Sequence, residues 1–308
     1  MRAPAVIVPS LGSPTLTGCL EALAAQELPP ARTIVVLSGE ASGIELPLQV
    51  EAVRRPARLG FAAAVNAGLD ALGDGAGSVA LLNDDAEPSP AWLGTLAAAL
   101  EDHPLTGAVQ GTVTDAAGEL VDGRGIALDR WGLPVQVDRG LPATPEPTTA
   151  RPLVAASATA ALYRAGALRE AALRGGGVLD PRFGSYHEDL DLGLRLARAG
   201  WRALWVPGAR CRHLGSATGR SLPWRHPWWI LANRWRALAG NLTTGALLLA
   251  LPRLLRGEVR AVRALARDNP RTWPVAVAVE AALPFLVAGG LLRQGPRRRL
   301  GGLPWGTT

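Results

Sequence analysis

"SVALLNDDAEPSPAWLGTLAAALEDH", residues 78–103, is the stretch whose reading decides the fold. It begins with a short apolar run, "SVALLN", of the length and character of a buried strand. The run stops on three polar residues, Asn83, Asp84 and Asp85. Ser89 and Pro90 then stand where a helix cap and a first helical residue belong, and the spacing predicts a helix over 89–103. A strand that ends in an acidic turn and feeds a helix is one step of a β-α-β chain.

The same alternation recurs on both sides. "VIV" within 5–9 reads as a strand, and "SPTLTGCLEALAAQ" as a helix with Ser13 as cap and Pro14 next. "TIVVL" (33–37) is a strand, "LQVEAV" (48–53) alternates as one, and "LGFAAAVNAGLDAL" (59–72) is helical. "ATAALYRAGALREAAL" (158–173) reads as a strand running into a helix. This order predicts an α/β protein with a mostly parallel sheet flanked by helices. In such sheets ligands bind at the carboxyl ends of the strands. Residues 107–129 read as short strands and turns, and the Pro/Thr-rich 131–152 as a long surface loop or lid. There is no internal repeat.

"YHEDLDLGLRLARAGW" (186–201) crowds Glu188, Asp189 and Asp191 into four positions. One reading is a helix start, where each acid contributes about 0.3–1 kcal/mol against the macrodipole. The other makes one of them a general base or a metal partner. Leu190, Leu192, Leu194 and Leu196 alternate as a strand would. A helix is preferred because leucine is not β-branched, acids lead, and Gly200 can close it. "WRALWVP" (201–207) then reads as a strand. The turn at 83–85 has the same double reading: a polar turn before a helix, or oxygen ligands for Mg²⁺ or Mn²⁺.

Composition adds a charge asymmetry. Residues 1–201 carry 15 Arg and 23 acids, residues 202–308 carry 17 Arg and 3 acids, and lysine is absent. A basic C-terminal third implies a polyanionic partner: anionic lipid, nucleic acid or a phosphorylated substrate. The two cysteines, Cys19 and Cys211, form no disulfide framework and suit a reducing compartment. The apolar run at the N-terminus stops at Pro9, which favours a buried strand over a signal peptide.

Taken in order, "LGFAAAVNAG" (59–68), "LLNDDAEPSPAWL" (81–93), "HEDLDLGLRLARAGW" (187–201) and "VPGARCRHLGS" (206–216) resemble the motifs of the family 2 glycosyltransferases, in particular the bacterial rhamnosyltransferase-like branch. The resemblance covers about residues 4–235. It implies the glycosyltransferase A-type, Rossmann-like fold and transfer of a sugar from a nucleotide-sugar donor. On this resemblance Asp85 is the metal-binding aspartate of a DxD-type motif read here as Asn-x-Asp, with Asn83 first and Asp84 assisting. Asp189 is the general base, Glu188 its partner, Asp191 a structural residue, and His213 a completing metal ligand, better suited to Mn²⁺ than Mg²⁺. Asn66 belongs to the donor-binding segment. Relatives place an aspartate for the nucleobase after the second strand, where this chain has Leu37, Ser38, Gly39 and Glu40. Ser38, Glu40 or the backbone near Pro9 and Ser10 are the candidates to replace it. Arg58 is either a phosphate partner or a surface residue.

The expected organisation is a glycosyltransferase domain over 1–220 and a helical, Arg/Trp-rich basic extension over 221–308. "SLPWRHPWWILANRWRAL" (221–238) interleaves tryptophan and arginine. Arg256, Arg260, Arg263 and Arg267 share one helix face, with Leu255, Val259, Val262 and Ala266 on another. "WPVAVAVEAALPFLVAGGLL" (273–292) is long enough to span a bilayer. It contains Pro274, Glu280 and Pro284, however, and arginines flank both ends: Arg267 and Arg271, then Arg293 and Arg297 to Arg299. A re-entrant or interfacial hairpin fits these facts better than a span. The expectation is a cytoplasmic enzyme attached peripherally or monotopically to the inner face of the cell membrane. Its acceptor would be a lipid-linked (polyprenyl) or cell-envelope glycan. The alternatives are a non-catalytic scaffold of the same fold, a nucleotidyltransferase, and a nucleic-acid binder. No recognisable nucleic-acid module supports the last, and no nucleic acid is expected as a partner.

Overall fold

The computed structural model describes residues 2–215, 225–269, 272–292 and 300. The expected boundary at 220/221 and the flanking arginines Arg271, Arg293 and Arg297 to Arg299 lie outside the described residues. The chain begins β1 (Ala5–Ser10), α1 (Leu16–Ala24), β2 (Arg32–Ser38), β3 (Glu51–Arg55), α2 (Phe61–Leu72), β4 (Ser78–Leu82). It continues β5 (Ala86–Pro88), α3 (Trp92–Asp102), β6 (Thr106–Thr114), β7 (Val121–Gly123), β8 (Ile126–Leu128), β9 (Pro134–Gln136). Then follow β10 (Arg151–Leu153), β11 (Ala160–Arg164), α4 (Ala165–Ala171), α5 (Glu188–Arg198), β12 (Arg202–His213) and α6 (Arg225–Asn241), α7 (Thr244–Asp268), α8 (Trp273–Leu292).

The main sheet runs β10-β12-β6-β11-β4-β1-β2-β3, with β5 on β12 and β7 on β6. It is mixed. β3, β2, β1 and β4 are mutually parallel, as the alternation of strand and helix demands. β12 is also parallel to β6, but β11 lies antiparallel between β4 and β6. The antiparallel members leave no mark in the alternation, because an apolar run has no direction. β6 is a single nine-residue strand, buried throughout, where short strands and turns were expected. The predicted strand over 48–53 shifts to Glu51–Arg55, an edge strand whose exposed Glu51, Arg54 and Arg55 discourage edge-to-edge pairing.

Helix starts move inward by a few residues. Ser13 does not cap α1: Leu16 N donates to its carbonyl (3.1 Å), so 13–15 form a turn and the helix opens at Leu16. Ser89 N is drawn to Arg210 O (2.9 Å), and α3 begins at Trp92 for the same reason. The stretch 131–152 contains β9 and β10 and is otherwise irregular.

Helices cover both faces. Leu16, Leu20 and Leu23 of α1 and Trp92, Leu93 and Leu96 of α3 pack on one side of β1, β2 and β4. Val65, Leu168, Leu192 and Leu196 from α2, α4 and α5 pack on the other. The two cysteines are free and buried in the first of these cores. A third core joins Phe183, Leu190 and Leu194 to Trp235, Leu238 and Leu242. α6 therefore shares apolar contacts with α5, and α8 packs on its other side through Leu231, Ala232, Ala276 and Val279.

Asp191 is wholly buried, at 0 % exposure. Its carboxylate accepts from Arg195 Nε (2.9 Å) and Asn241 Nδ2 (2.9 Å), tying α5 to α6. Arg195 in turn donates to the carbonyls of Ala171 and Val178. Removing one partner of a buried ion pair leaves the other charge uncompensated, which costs about 3–5 kcal/mol. Asp191→Ala is expected to lose stability on that scale in urea denaturation, with its m-value unchanged.

Candidate active site

The carboxyl ends of β1, β2 and β4 point the same way because the strands are parallel. They bring Ser10, Ser38 and the 83–85 turn to one edge of the sheet. Ser10 Oγ donates to Asp84 Oδ2 at 2.6 Å, joining the ends of β1 and β4. Burial raises the pKa of Asp84, and the hydrogen bond from Ser10 partly offsets it. Asn83 N donates to Thr159 O (2.9 Å), which fixes the turn against the start of β11. Pro9 is half-buried within β1.

Asp85 is 3 % exposed, and neither of its oxygens has a hydrogen-bond partner among the described residues. Such an orphan is costly unless something else satisfies it. His213, at the end of β12, places Nε2 3.3 Å from Asp85 Oδ1. β12 delivers it there because His213 pairs with Ala86 of β5 in the antiparallel ladder. The other ring nitrogen, Nδ1, lies 2.9 Å from Asp122 Oδ2. Burial opposes charging of His213, but Asp122 and Asp85 outweigh it and push the pKa up to about 9. That contribution to stability is complete below the ordinary histidine range and is lost as pH rises through about 9. Asp122 is lowered, chiefly by His213.

This donor set fits a divalent cation on condition that the cation displaces the second His213 proton, since imidazole ligates in its neutral form. Two ligands each about 2.1 Å from an ion, at right angles, lie roughly 3 Å apart, close to the observed 3.3 Å. An imidazole that ligates with one nitrogen characteristically gives the other to a carboxylate, the part Asp122 plays. Among the described residues no group of three or more His, Cys, Asp or Glu side chains is arranged to hold a metal by itself. The remaining positions would fall to water or to substrate phosphates.

Asp189 of α5 is tied to the same backbone segment as Asn83. Asp189 Oδ2 accepts from Ala158 N (3.3 Å), one residue from the Thr159 carbonyl that holds Asn83, and Oδ1 accepts from Leu190 N (2.8 Å). Residues 157–159 are thus the hinge point between the DxD-type turn and the helix. Gly193 lets α5 come this close: a Cβ there would fall 2.3 Å from that of Ala155. Burial raises the pKa of Asp189, against its backbone hydrogen bonds. Glu188 is raised well above the ordinary range by burial and then by the charge of Asp189. One of the two is therefore held neutral while its neighbour ionises.

The backbone that presents them is strained. Tyr186 and His187 both have left-handed φ, 70° and 68°, a region costly for non-glycine residues. Asn233 of α6, fully buried, holds the loop with its side-chain nitrogen within hydrogen-bond distance of the carbonyls of Phe183 (2.8 Å), Ser185 (3.0 Å) and Tyr186 (2.9 Å). The buried His187 imidazole has a pKa lowered to about 4, first by desolvation and then by Arg234.

Other sequence candidates have different partners. Asn66 turns away from the strand ends: its Oδ1 accepts from Val178 N (3.0 Å) and Leu179 N (2.9 Å), and its Nδ2 donates to Leu179 O (2.7 Å). It clamps the segment after α4 with its amide. Ser38 Oγ accepts from Leu59 N (3.2 Å), holding the loop into α2, while Glu40 and Arg58 are exposed beside it. Sequence reasoning missed Asp122, Asn233 and Asn241. Asp122 lies in a stretch expected as short strands and turns, Asn233 sits among the Arg/Trp residues of 221–238 that drew attention for their charge, and Asn241 has no motif around it.

Residues 5–171 match the model of glycosyl transferase family 2. The N-acetylglucosaminyl-diphospho-decaprenol L-rhamnosyltransferase of Mycobacterium tuberculosis (strain CDC 1551 / Oshkosh) is 27% identical over 239 residues, 67% of this chain and 78% of that protein. The mannosyltransferase PcManGT from Pyrobaculum calidifontis, solved with GDP-Man and Mn2+, superposes with a TM-score of 0.53 at 18% identity, over 95% of this chain and 81% of its own. The structure of GalNAc-T7 with UDP, GalNAc and Mn2+ superposes with a TM-score of 0.55 at 16% identity, over 76% of this chain. This chain spans about half, 47%, of that structure's length. At these identities the two structures speak for the fold.

Because the folded state favours the neutral forms of Glu188 and Asp189, the stability they contribute is full below the ordinary carboxylate range and is lost as pH rises through their raised values. Glu188→Gln removes one of the buried like charges. Its melting temperature should match wild type at pH 4 and exceed it at pH 8, by about 2–4 °C for each kcal/mol relieved, read in thermal melts at the two pH values.

Proposed function

The chain belongs to glycosyl transferase family 2, and from that premise we propose an inverting transfer of a sugar from a nucleotide-sugar donor to a hydroxyl of a lipid-linked glycan. The observation that carries it is the shared anchorage of two acidic elements. Asn83 and Asp189, more than a hundred residues apart, both hydrogen-bond the backbone at 158–159. This shared anchorage supports the reading that the 83–85 turn and the α5 carboxylates flank one space.

In this reading Asp189 is the general base. The acceptor oxygen forms its bond to the anomeric carbon as the bond to the diphosphate breaks, and the hydroxyl proton passes to Asp189. The electron pair leaves with the nucleoside diphosphate. A carboxylate so placed contributes about 10²–10⁴-fold, and its burial strengthens it as a base relative to a solvated aspartate. Burial and the charge of Asp189 favour the neutral form of Glu188 beside it. Asp85 and His213 would hold a divalent ion, Mn²⁺ or Mg²⁺, which when bound supplies Lewis-acid neutralisation of the leaving diphosphate. Asp122 orients His213 for that task. Ser10, Asn83 and Asp84 form the floor beneath the donor, and Pro9 and Ser38 border it.

A rhamnosyl donor and a polyprenyl-diphosphate-linked acceptor are the assignments that the mycobacterial relative suggests. They suit work at the inner face of the cell membrane in envelope polysaccharide synthesis. The physical support comes from the segment after residue 220, proposed as a membrane-facing unit. α8 is the one described helix long and apolar enough to cross a bilayer, and only 17% of its apolar window is buried. It exposes Trp273, Val277, Phe285 and Leu292, and α7 exposes Leu248, Leu249, Leu255 and Val259. Leu255 and Val259, expected opposite the arginines on a separate face, thus share the open surface with them. An exposed apolar area ringed by arginine marks an interfacial surface.

The test is transfer to a polyprenyl-diphosphate-linked sugar across a panel of nucleotide-sugars, followed by mass spectrometry, with and without Mn²⁺. Asp189→Asn is expected to lower kcat about 10²–10⁴-fold while the donor still protects the fold in a thermal-shift assay. Full transfer by Asp189→Asn would remove it as the base.

A further inference from the structure

Arg130, Trp131, Arg253 and Arg256 line a cavity of about 500 Å³ outside the site described above. One wall is the tip of the β8–β9 hairpin and the other is α7. The tip is fixed: Asp129 Oδ1 accepts from Trp131 N (2.8 Å) and Leu133 N (2.9 Å), so the loop arrives preformed. α7 lies close against it because residue 257 is glycine. A Cβ there would fall 2.6 Å from the Trp131 carbonyl oxygen. The Arg130 guanidinium stacks 4.8 Å from the centre of the Trp131 ring, and that of Arg260 lies 6.0 Å from it. Trp131 thereby carries two cations on one aromatic surface.

The acids nearest in sequence have other tasks. Asp129 is engaged by the turn, and Glu258 is buried against Arg234 and Trp235 Nε1. The arginines that line the cavity are exposed. A concave group of guanidinium forks matches a phosphate, which accepts from several N–H groups at once.

We propose that this cleft binds the phosphate of a membrane lipid headgroup. The proposal rests on the membrane reading given above and names the group that reading lacks. The commitment to a lipid comes from α7 itself. Leu248, Leu249, Leu255 and Val259 are 61%, 84%, 41% and 49% exposed, on the same helix as Arg253, Arg256 and Arg260. At a headgroup boundary those leucines enter hydrocarbon while the arginines remain among phosphates. On a nucleic acid or a soluble phosphate they would stay in water. The cleft would also orient the enzyme, since the β8–β9 hairpin follows β7, whose Asp122 faces His213.

The test is vesicle flotation of the full chain. One set of phosphatidylcholine vesicles contains phosphatidic acid, the other oleate at matched surface charge, so that only the added phosphate differs. Wild type should partition at least about fivefold more strongly to the first, the scale of one basic contact. Arg130→Gln/Arg256→Gln should abolish that preference. Arg263→Gln/Arg267→Gln, which removes the same charge from α7 outside the cavity, should weaken binding to both sets and keep the preference. Equal partition of wild type to the two sets, or equal loss of preference in both double variants, would overturn the cleft in favour of diffuse charge and leave the membrane reading standing. Wild type that floats with neither set would sink the membrane reading itself. Inorganic pyrophosphate that stabilises wild type but not Arg130→Gln/Arg256→Gln in thermal melts, with no lipid preference, would overturn the lipid assignment.

Discussion

The structure depends on burying Asp191 with its partners. A carboxylate at 0 % exposure is tolerable only when its lone pairs are taken, and here Arg195 and Asn241 take them. The consequence is geometric. α5 cannot rotate or slide without exposing an unpaired charge to the core, so the residues one turn earlier are held with it. Glu188 and Asp189 owe their placement to this neighbour. The same helix start that favours acids by its macrodipole therefore places its three acids differently: Asp191 as an anchor, Asp189 hydrogen-bonded to the backbone of Ala158 and Leu190, and Glu188 buried beside it.

Burial then sets the chemistry. A solvated aspartate is a poor base at neutral pH because its pKa is low. Desolvation raises that of Asp189, while backbone donors keep it within reach of ionisation. At Asp85 the sign is reversed: it forms an attractive pair with His213, 3.3 Å away. In the proposed reading the repulsive pair suits removal of a proton, and the Asp85–His213 pair, once His213 gives up its second proton, suits a cation that receives negative charge. The strained φ values at Tyr186 and His187 are the local cost of that arrangement, and Asn233 offsets it by satisfying the carbonyls that the strain turns inward.

Much of this is legible in the sequence. The apolar runs at 5–9, 33–37 and 78–83 specify strands because nothing but a buried strand accommodates them, and the residues at their ends follow from the direction of the chain. Motif order singles out Asp85, Asp189 and His213 as candidates, whose roles belong to the proposal above, and the structural reading of Asp191 agrees with its hydrogen bonds to Arg195 and Asn241. What escaped has a common cause. Asp122, Asn233 and Asn241 act through single long-range hydrogen bonds, which leave no periodicity. Asn66 sits in a motif that implied a ligand contact, and its amide clamps Val178 and Leu179. Helix starts at 13 and 89 failed because backbone contacts, Leu16 to Ser13 and Ser89 to Arg210, overruled the capping pattern. The antiparallel β11 escaped because strand direction is decided by which neighbours close the sheet.

α6 gives the molecule its unity. Asn233 near its middle supports the loop before Asp189, and Asn241 at its end supports Asp191. Its opposite side packs on α8, with Gly290 of α8 against Ala239. The helix is thus a shared wall between the α5 carboxylates and the exposed apolar surface of α7 and α8. Close packing permits little slack, so a shift of α8 would be felt at the hydrogen bonds by which α6 holds Tyr186 and Asp191.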